Sequence, residues 1–386
     1  MSNFDALEPS RLRDPYSIKW NYYPEGVLPL WVADMDFPIA EEIKKAIIAR
    51  LEYNLGYPFI GGDPRLLAAI IRQQESYGLL GLENKNLMLV SSVVPGLYAA
   101  IQGLTSVGDE VITQTPIYPP FLSSVRDHGR IALENPMRRT ESGWEIDFIH
   151  LESLVTPKTK VFMLCNPQNP TGRVFKRSEL EQLADFVLRH DLLVITDELH
   201  SMLRLEGQHI AFASLSPEMA ARTVTLTGPC KAFNTAGFGG GVIIAHNTAL
   251  LERIQKATKG LMGHPNIFSM EMWRVGLEES GAWLEETLNY LRDNRDFLNS
   301  WLMQHLPEVT CIPAEGTYLA WLDFNKFGFA KDIYKILLEE AKVGLNDGPP
   351  YGAGYSGWLR INFATSRAIL TEALTRIETC IRSKVD

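Results

Sequence analysis

The sequence predicts an α/β protein whose main domain contains a mostly parallel sheet. From about residue 87 onwards, short apolar runs alternate with helical patterns, as parallel sheets with crossover helices require. Helical patterns cover about 93–106, 178–190 and 248–259, and Ser178 with Glu181 predicts a capping box at the second of these. The strand-like runs are Leu87–Val90, Glu110–Gln114, Val161–Cys165, Leu192–Thr196, Val224–Thr227 and Gly241–Ala245.

The pattern changes after about residue 280. A long amphipathic helix is predicted at about 281–305, and further helices lie near 330–342 and 366–382. Strands are predicted at Thr317–Asp323 and Gly357–Phe363. We interpret 281–386, together with 1–50, as a smaller α+β domain and 51–280 as the large domain, since 386 residues suit two domains.

Composition excludes several classes of function. The formal net charge of −9 argues against nucleic acid as a partner. No apolar stretch reaches the roughly 18 residues of a membrane helix, and Met1 to Arg13 contains no apolar signal core, so we expect a cytoplasmic protein without a membrane partner. The four cysteines form no CxxC pair, which argues against a zinc site or a disulfide framework.

Lys231 is the first candidate for chemistry because it is the only charged residue between Thr223 and Leu251. It follows the apolar run VTLT, in the turn GPCKAFN. Burial of an ammonium costs several kcal/mol unless it is paired or neutralised, and a lysine held neutral in a dry site can form a Schiff base. The alternative is a lysine that extends from its loop to water.

Asp197 and the segment 166–172 lie where a parallel sheet places its ligands, beyond the carboxyl ends of strands. Asp197 ends the run DLLVIT and is either a site carboxylate or a helix N-cap. The segment NPQNPTG follows the run VFMLC. Two Asn-Pro steps favour a rigid, non-repetitive loop, although a plain turn is the alternative.

Arg360 is the only charged residue between Gly348 and Ser366, within the apolar run WLRINFA. A guanidinium in such a strand needs a carboxylate or a phosphate. The pattern therefore predicts either a ligand-binding arginine or a structural ion pair, for which Asp323 is the candidate partner.

Other motifs carry less weight. The run GFGGG at 237–241 resembles a dinucleotide fingerprint, but a strand follows it where that motif requires a helix, which argues against an NAD enzyme. Gly103 and Gly108 have P-loop spacing, yet Asp109 occupies the lysine position. Asp197 and its neighbours Glu198 and His200 could hold a metal, but no second cluster supports one, so we expect none.

Taken together, NPQNPTG at 166–172, TDELH at 196–200, PCKAFN at 229–234 and LRINFA at 359–364 resemble the fold-type I pyridoxal-phosphate enzymes of the aminotransferase class I/II superfamily. The resemblance covers essentially the whole chain. Within the superfamily it is greatest to the MalY/PatB group of cystathionine β-lyases and cysteine-S-conjugate β-lyases. The segments that resemble this group are WVADMDFP (31–38), LGYP (55–58), TPIYPPF (115–121), AFASLS (211–216) and TYLAWLDF (317–324).

The resemblance implies a large domain with a seven-stranded, mostly parallel sheet and a role for each site residue. Lys231 would carry the cofactor as a Schiff base, Asp197 would pair with its ring nitrogen, and Arg360 would bind the substrate α-carboxylate. The other implied contacts to the cofactor come from Asn169 (ring oxygen), His200 (beside it), Tyr118 (ring face), the Ser92, Val93 and Val94 amides (phosphate), and Tyr57 (the neighbouring subunit's phosphate).

The sequence departs from the superfamily around the phosphate. A serine three residues before the lysine and an arginine eight after it are common there, and this chain has Gly228 and Gly239 instead. Cys230 precedes the lysine, where serine is frequent. The phosphate would then depend on backbone amides and on Tyr57, which in turn implies a homodimer with shared active sites.

Two reactions remain open from the residues themselves. Once the Cα proton has been removed, a small amino-acid substrate can either lose a β-substituent or be transaminated. A thiolate is a good leaving group because thiol pKa values are about 8.5. The MalY/PatB resemblance favours β-elimination, giving a thiol, pyruvate and ammonia, with an aminotransferase as the alternative. A purely regulatory protein is disfavoured because both Lys231 and Asp197 are present.

Overall fold

The protein is described by a computed structural model that covers residues 4–59, 61–140 and 143–385. Its strands are, in chain order, β1 (Leu28–Pro29), β2 (Leu87–Val90), β3 (Glu110–Thr115), β4 (Ile131–Pro136), β5 (Arg138–Thr140), β6 (Gly143–Glu145), β7 (Thr159–Cys165), β8 (Leu193–Asp197), β9 (Thr223–Thr227), β10 (Gly241–Ile244), β11 (Thr310–Cys311), β12 (Leu319–Asp323), β13 (Val343–Gly344), β14 (Asn346–Asp347) and β15 (Trp358–Asn362). The α-helices are α1 (Pro9–Leu12), α2 (Ile18–Asn21), α3 (Glu41–Arg50), α4 (Pro64–Ser76), α5 (Val93–Leu104), α6 (Pro120–Arg126), α7 (Phe148–Ser153), α8 (Arg177–Arg189), α9 (Pro217–Arg222), α10 (Thr248–Ala257), α11 (Ile267–Glu279), α12 (Gly281–His305), α13 (Ile333–Glu339) and α14 (Arg367–Val385).

Seven strands form the large sheet, in the order β2-β10-β9-β8-β7-β3-β4. Neighbouring strands are parallel except where β10 pairs with β2 and β9. The predicted mostly parallel, seven-stranded sheet is confirmed, and all six strand-like runs lie in it. The seventh strand, β4, was not among those runs because IALENP is half polar and ends in proline, which an edge strand tolerates.

Both faces of the large sheet are covered by helices. In β7, Val161 and Met163 pack into one hydrophobic cluster with α5, whereas Phe162 and Leu164 pack into another with α8. This alternation follows from the two-residue period of a strand. Because the faces are buried, polar chemistry is confined to the ends of the strands.

A second, antiparallel sheet has the order β11-β12-β15-β14. It packs against α12 and α14 in a cluster that includes Leu298, Leu322 and Leu370. Trp20 and Leu30, from the start of the chain, lie in the same cluster. The division of the chain at residues 50 and 280 stays a prediction.

The helices differ from the predictions mainly at their ends. The helix predicted at 281–305 is α12, with the same limits. The capping box predicted at Ser178 and Glu181 is wrong, because the N-cap of α8 is Lys176, two residues earlier. There the Glu179 carboxylate accepts a hydrogen bond from the Lys176 amide at 2.7 Å. Within the described ranges, no helix is both long and apolar enough to cross a membrane.

Candidate active site

A cavity of about 230 Å³ lies beyond the carboxyl ends of β7, β8 and β9. The second sheet closes it from the other side through Arg360. The cavity brings together most of the side chains predicted for the site. Its lining consists of Val32, Ala33, Ser92, Val93, Val94, Tyr118, Cys165, Asn169, Asp197, Leu199, His200, Cys230, Lys231, Ala236, Gly239, Gly240 and Arg360.

Lys231 lies in the turn that follows β9, and its side chain enters the cavity. Its Nζ donates a hydrogen bond to the backbone carbonyl of Ala33 at 2.7 Å. The ammonium therefore does not extend to bulk water, which was the alternative for an isolated lysine. Cys230, the preceding residue, is partly buried, and this burial raises the pKa of its thiol.

Asp197 is the last residue of β8, and its carboxyl group is buried. One carboxylate oxygen accepts a hydrogen bond from the Leu199 amide at 3.0 Å. Burial raises the pKa of the group from 3.8 to about 6, although that amide and the nearby Lys231 both act in the opposite direction. A cation beside Asp197 would restore the ordinary acidity of this carboxyl group.

Glu198 and His200, the two ionisable residues that follow Asp197 in the tetrapeptide DELH, point in different directions. His200 lines the cavity, whereas the Glu198 carboxylate turns into the core and pairs with His209 at 2.8 Å. Among the described residues, no three His, Cys, Asp or Glu side chains are grouped as a metal site requires. Glu198 therefore anchors the segment around His209 and takes no part in the cavity.

The loop at 166–172 is fixed to its surroundings by backbone and amide contacts. The Asn166 amide donates to the Asp197 carbonyl at 3.0 Å, and Gln168 Nε2 donates to the Pro116 carbonyl at 3.2 Å. The Asn169 carbonyl accepts from the Tyr118 amide at 3.0 Å. These contacts place the Asn169 side chain and the Tyr118 ring in the same cavity.

Arg360, on β15, is the buried cation of the second sheet. Its Nη1 donates to Asn169 Oδ1 at 2.9 Å, and its Nη2 donates to the Trp31 carbonyl at 2.9 Å and to Asn346 Oδ1 at 2.5 Å. All three acceptors are neutral. Within the described part of the chain the guanidinium has no carboxylate partner, and its Nε has no hydrogen-bond partner. A buried cation with only neutral partners favours an anionic ligand.

The alternative ion pair between Arg360 and Asp323 is wrong. Asp323 Oδ2 accepts instead from Arg139 Nη1 at 2.6 Å, at the partly exposed end of β12. The register of the sheet explains this choice, because Arg360 lies opposite Trp321 while Asp323 lies opposite Trp358.

The N-terminus of α5 borders the cavity through Ser92, Val93 and Val94. The first turn of a helix leaves its amides without intrahelical partners, so these residues offer hydrogen-bond donors to an anion. Gly239, which has φ +71°, passes so close that a Cβ atom would lie 2.7 Å from the Ser91 carbonyl oxygen. A Cβ at Gly228 would lie 2.8 Å from the Gly240 carbonyl oxygen. The two departures from the superfamily therefore belong to a backbone that admits no side chain there.

His200 and Tyr118 are held in unionised form by their surroundings. Burial, together with the nearby positive charges of Lys231 and Arg360, lowers the pKa of His200 from 6.5 to about 3. Its Nδ1 is buried without a hydrogen-bond partner within the described residues. Burial also raises the pKa of the Tyr118 phenol. Both side chains are therefore neutral hydrogen-bonding groups at ordinary pH.

Tyr57 is the one predicted site residue that lies outside the cavity. Its side chain is fully exposed, and it lines a separate groove of about 560 Å³ with Tyr53, Phe59 and Arg65. Tyr53 and Phe59 are exposed as well. The chain by itself therefore does not bring Tyr57 to its own active site.

Two contacts of the site were not predicted from the sequence, and one of them is made by the backbone. The Ala33 carbonyl accepts from both Lys231 Nζ and the hydroxyl of the buried Tyr318, the latter at 2.9 Å. Asn346, which accepts from Arg360, was also missed. A carbonyl is common to every residue type, so no sequence pattern could have revealed it, although WVADMDFP already contributed to the resemblance.

These residues fit pyridoxal phosphate, the cofactor that the resemblance implies. The glycine cradle and the amides of α5 suit a phosphate. The raised pKa of Asp197 suits a partner that brings a positive charge. Buried atoms without partners, such as Arg360 Nε and His200 Nδ1, mark the cavity as a binding site for polar groups.

Comparisons with known proteins agree with this geometry. The chain is 34% identical over 393 residues to cystathionine β-lyase PatB of Bacillus subtilis, which covers 98% of this chain and 100% of that protein. The structure of cystalysin from Treponema denticola, which contains pyridoxal 5'-phosphate, superposes with a TM-score of 0.94 at 28% identity and covers all of both chains. The pyridoxal-phosphate-bound C–S lyase from Staphylococcus hominis gives a TM-score of 0.92 at 27% identity, again over the whole of both chains. The family model for aminotransferase class I and II matches residues 25–377, and the chain belongs to this family.

Proposed function

We propose that this protein is a pyridoxal-phosphate-dependent carbon–sulfur β-lyase. It cleaves the bond between the β-carbon and the sulfur of cystathionine or of cysteine S-conjugates. The observation that carries the proposal is the convergence of Lys231, Asp197 and Arg360 on one cavity beyond the strand ends. Full-length similarity to proteins named cystathionine β-lyase and C–S lyase supports this reaction rather than another of the family.

The proposed roles follow from the contacts of each side chain. Arg360 binds the α-carboxylate of the substrate, which supplies the anion that its neutral partners lack. Asn169 Oδ1 already accepts from Arg360, so its amide nitrogen is the group left to donate to the ring oxygen. Asp197 pairs with the protonated ring nitrogen.

Lys231 holds the cofactor until the substrate amine displaces it, and its free amine then takes the proton from Cα. When bound, the cofactor supplies an electron-withdrawing ring that stabilises the negative charge left on Cα. The resulting ammonium keeps its acceptor in the Ala33 carbonyl. His200, whose pKa is lowered to about 3 by burial and by the nearby positive charges, is too weak a base to take this proton in place of Lys231.

The β-elimination balances without an oxidant or a second substrate. The Cα proton passes to Lys231, the Cβ–S bond breaks, and its electron pair leaves with the sulfur. The thiolate then takes up a proton. The remaining aminoacrylate reacts with water to give pyruvate and ammonia.

The active form is a homodimer whose sites are shared between subunits. Support comes from the exposed aromatic residues Tyr53, Tyr57 and Phe59, since monomers rarely leave several large apolar side chains together in water. Tyr57 then reaches the phosphate of the neighbouring subunit's cofactor. Sedimentation equilibrium tests the assembly, and a mass of one chain across the micromolar range would contradict it.

The enzyme acts in the cytoplasm on small amino acids. All four cysteines, at 165, 230, 311 and 380, are free thiols, which suits a reducing compartment. Fractionation of the source cells, followed by detection of the protein, tests this placement. Recovery in an oxidising compartment would contradict it.

The test of the function is an assay of the pyridoxal-phosphate-loaded protein with L-cystathionine and no keto acid. We expect equal amounts of pyruvate, ammonia and thiol, and none from Lys231→Ala, whose folding is checked by its unfolding transition. Turnover that requires an added keto acid would identify an aminotransferase instead. Failure to take up the cofactor, or borohydride fixation of the cofactor at a residue other than Lys231, would overturn the assignment.

A further inference from the structure

The segment 31–37, which we name the strap, runs between the two sheets and contacts both Arg360 and Lys231. Its backbone carbonyls alternate in direction. Those of Trp31 and Ala33 point to the cavity, where they accept from Arg360 Nη2 at 2.9 Å and from Lys231 Nζ at 2.7 Å. The strap is thus the common acceptor for the group that binds the carboxylate and the group that moves the proton.

Several side chains hold the strap, and Asn362 is the one that contacts the residues on both sides of Ala33. Asn362 Nδ2 donates to the carbonyl of Val32 at 2.8 Å and to that of Asp34 at 2.7 Å. Its Oδ1 accepts from the Ala364 amide at 2.8 Å, so the orientation of the side-chain amide is fixed. Asn362 is fully buried and is absent from the lining of the cavity.

The alternation makes the strap a spacer of fixed length. Within the strap the Asp34 amide donates to the Val32 carbonyl at 2.9 Å, and this local bond, together with the contacts of Asn362, fixes the path of the backbone around Ala33. The anchor points of Arg360 and Lys231 are therefore as far apart as the strap dictates. The carboxylate and the Cα of an amino acid are joined by one bond, so an error in this spacing moves the amine of Lys231 away from the Cα proton.

We propose that Asn362 is a positioning residue for the elimination reaction, which it supports by holding the strap that spaces Arg360 and Lys231. This inference rests on the proposed lyase function. It extends that function to a residue that contacts neither the substrate nor the cofactor.

The chain contains a matched control for a purely structural role. Asn294 is also fully buried, and its Nδ2 also donates to two carbonyls two residues apart, those of Phe363 at 3.0 Å and Thr365 at 2.8 Å. Its acceptors belong to the segment after β15 and not to the strap. Truncation of either asparagine removes one donor from each of two carbonyls, so the two variants should lose similar stability.

The experiment compares Asn362→Ala with Asn294→Ala in the cofactor-loaded protein. We expect similar falls in the unfolding midpoint. Only Asn362→Ala should lower kcat, by on the order of 10²-fold, because a misplacement of about 1 Å has that effect. The isotope effect from deuterium at Cα should rise in Asn362→Ala alone. Equal changes in kcat for the two variants, or no change, would overturn the proposal.

A binding measurement separates this inference from the lyase assignment. 2-Aminoisobutyrate carries a carboxylate and an amine but has no Cα proton, so it displaces Lys231 without reacting further. Its Kd, read from the absorbance of the cofactor, should weaken at least about tenfold in Asn362→Ala and stay unchanged in Asn294→Ala, by the same loss of orientation. If the parent protein binds this amino acid yet forms no pyruvate, the function fails while the strap is still tested.

A second variant decides the matter if Asn362→Ala does not fold. Tyr318→Phe removes only the hydroxyl that shares the Ala33 carbonyl with Lys231. We expect a fall in kcat of several-fold with little change in KM or in the unfolding midpoint. An unchanged kcat and an unchanged isotope effect would show that the strap does not position Lys231.

Discussion

Replacement of Asp197 by asparagine should stabilise the cofactor-free protein, although it removes a residue of the active site. Burial raises the pKa of this carboxyl group from 3.8 to about 6. The folded chain therefore binds the proton more tightly than the unfolded chain does. Each pKa unit corresponds to 1.36 kcal/mol, so ionisation of Asp197 costs the folded state about 3 kcal/mol once both states are deprotonated.

The sign of the pH dependence follows from this difference. Below about pH 4 the carboxyl is protonated in both states and has no cost. As the pH rises to about 6 the free energy of unfolding falls, and above that it is constant. Asp197→Asn lacks this dependence, so we expect it to be more stable than the parent by up to about 3 kcal/mol at pH 8 and equal to it near pH 4.

Urea unfolding of the cofactor-free proteins between pH 4 and pH 8, followed by tryptophan fluorescence, measures the difference. Asp191→Asn serves as a control because that side chain is 93% exposed. In the parent, cofactor affinity should weaken as the pH falls through about 6, and this dependence should vanish in Asp197→Asn. An Asp197→Asn protein that is less stable than the parent at pH 8 would refute the reasoning.

Two further predictions concern the binding of the substrate carboxylate and the contribution of the neighbouring subunit to the active site. Arg360→Lys should raise KM for cystathionine about 10²-fold, because lysine cannot form the paired contacts of a guanidinium. The same variant should hardly affect the binding of n-propylamine, which has no carboxylate. Equal losses for both ligands would contradict this prediction. Tyr57→Ala and Lys231→Ala should each be nearly inactive, but a refolded equal mixture should recover about a quarter of the parent activity, since half the dimers then contain one intact site. No recovery would contradict sites shared between subunits.

The site residues that could be identified from the sequence are those that carry a charge within or next to an apolar stretch. Lys231 and Arg360 are isolated charges in apolar stretches, and Asp197 ends an apolar run. Burial of an unpaired charge is costly, so such residues persist in a sequence chiefly where a ligand compensates them. The structure brings these three side chains to one cavity, and for Asp197 this position is the one that the parallel strand ends predict.

The features that could not be predicted from the sequence depend on backbone atoms or on which side chains meet in the folded protein. The strap acts through carbonyls, which leave no trace in residue types. The start of α8 depends on Glu179, which pairs with the buried Arg173 at 2.6 Å and accepts from the Lys176 amide. By residue type Ser178 is the better cap, and the sequence does not show that Arg173 holds Glu179 at the start of the helix.

The electrostatics of the cavity explain why one site can serve both a cofactor phosphate and a substrate carboxylate. The chain has a formal net charge of −9, yet the cavity contains two basic side chains, Lys231 and Arg360, and a single carboxyl group, Asp197, in its lining. His200 stays neutral because burial disfavours its charged form, and the nearby charges of Lys231 and Arg360 add to this effect. The site therefore suits two anionic groups, one at the α5 amides and one at Arg360.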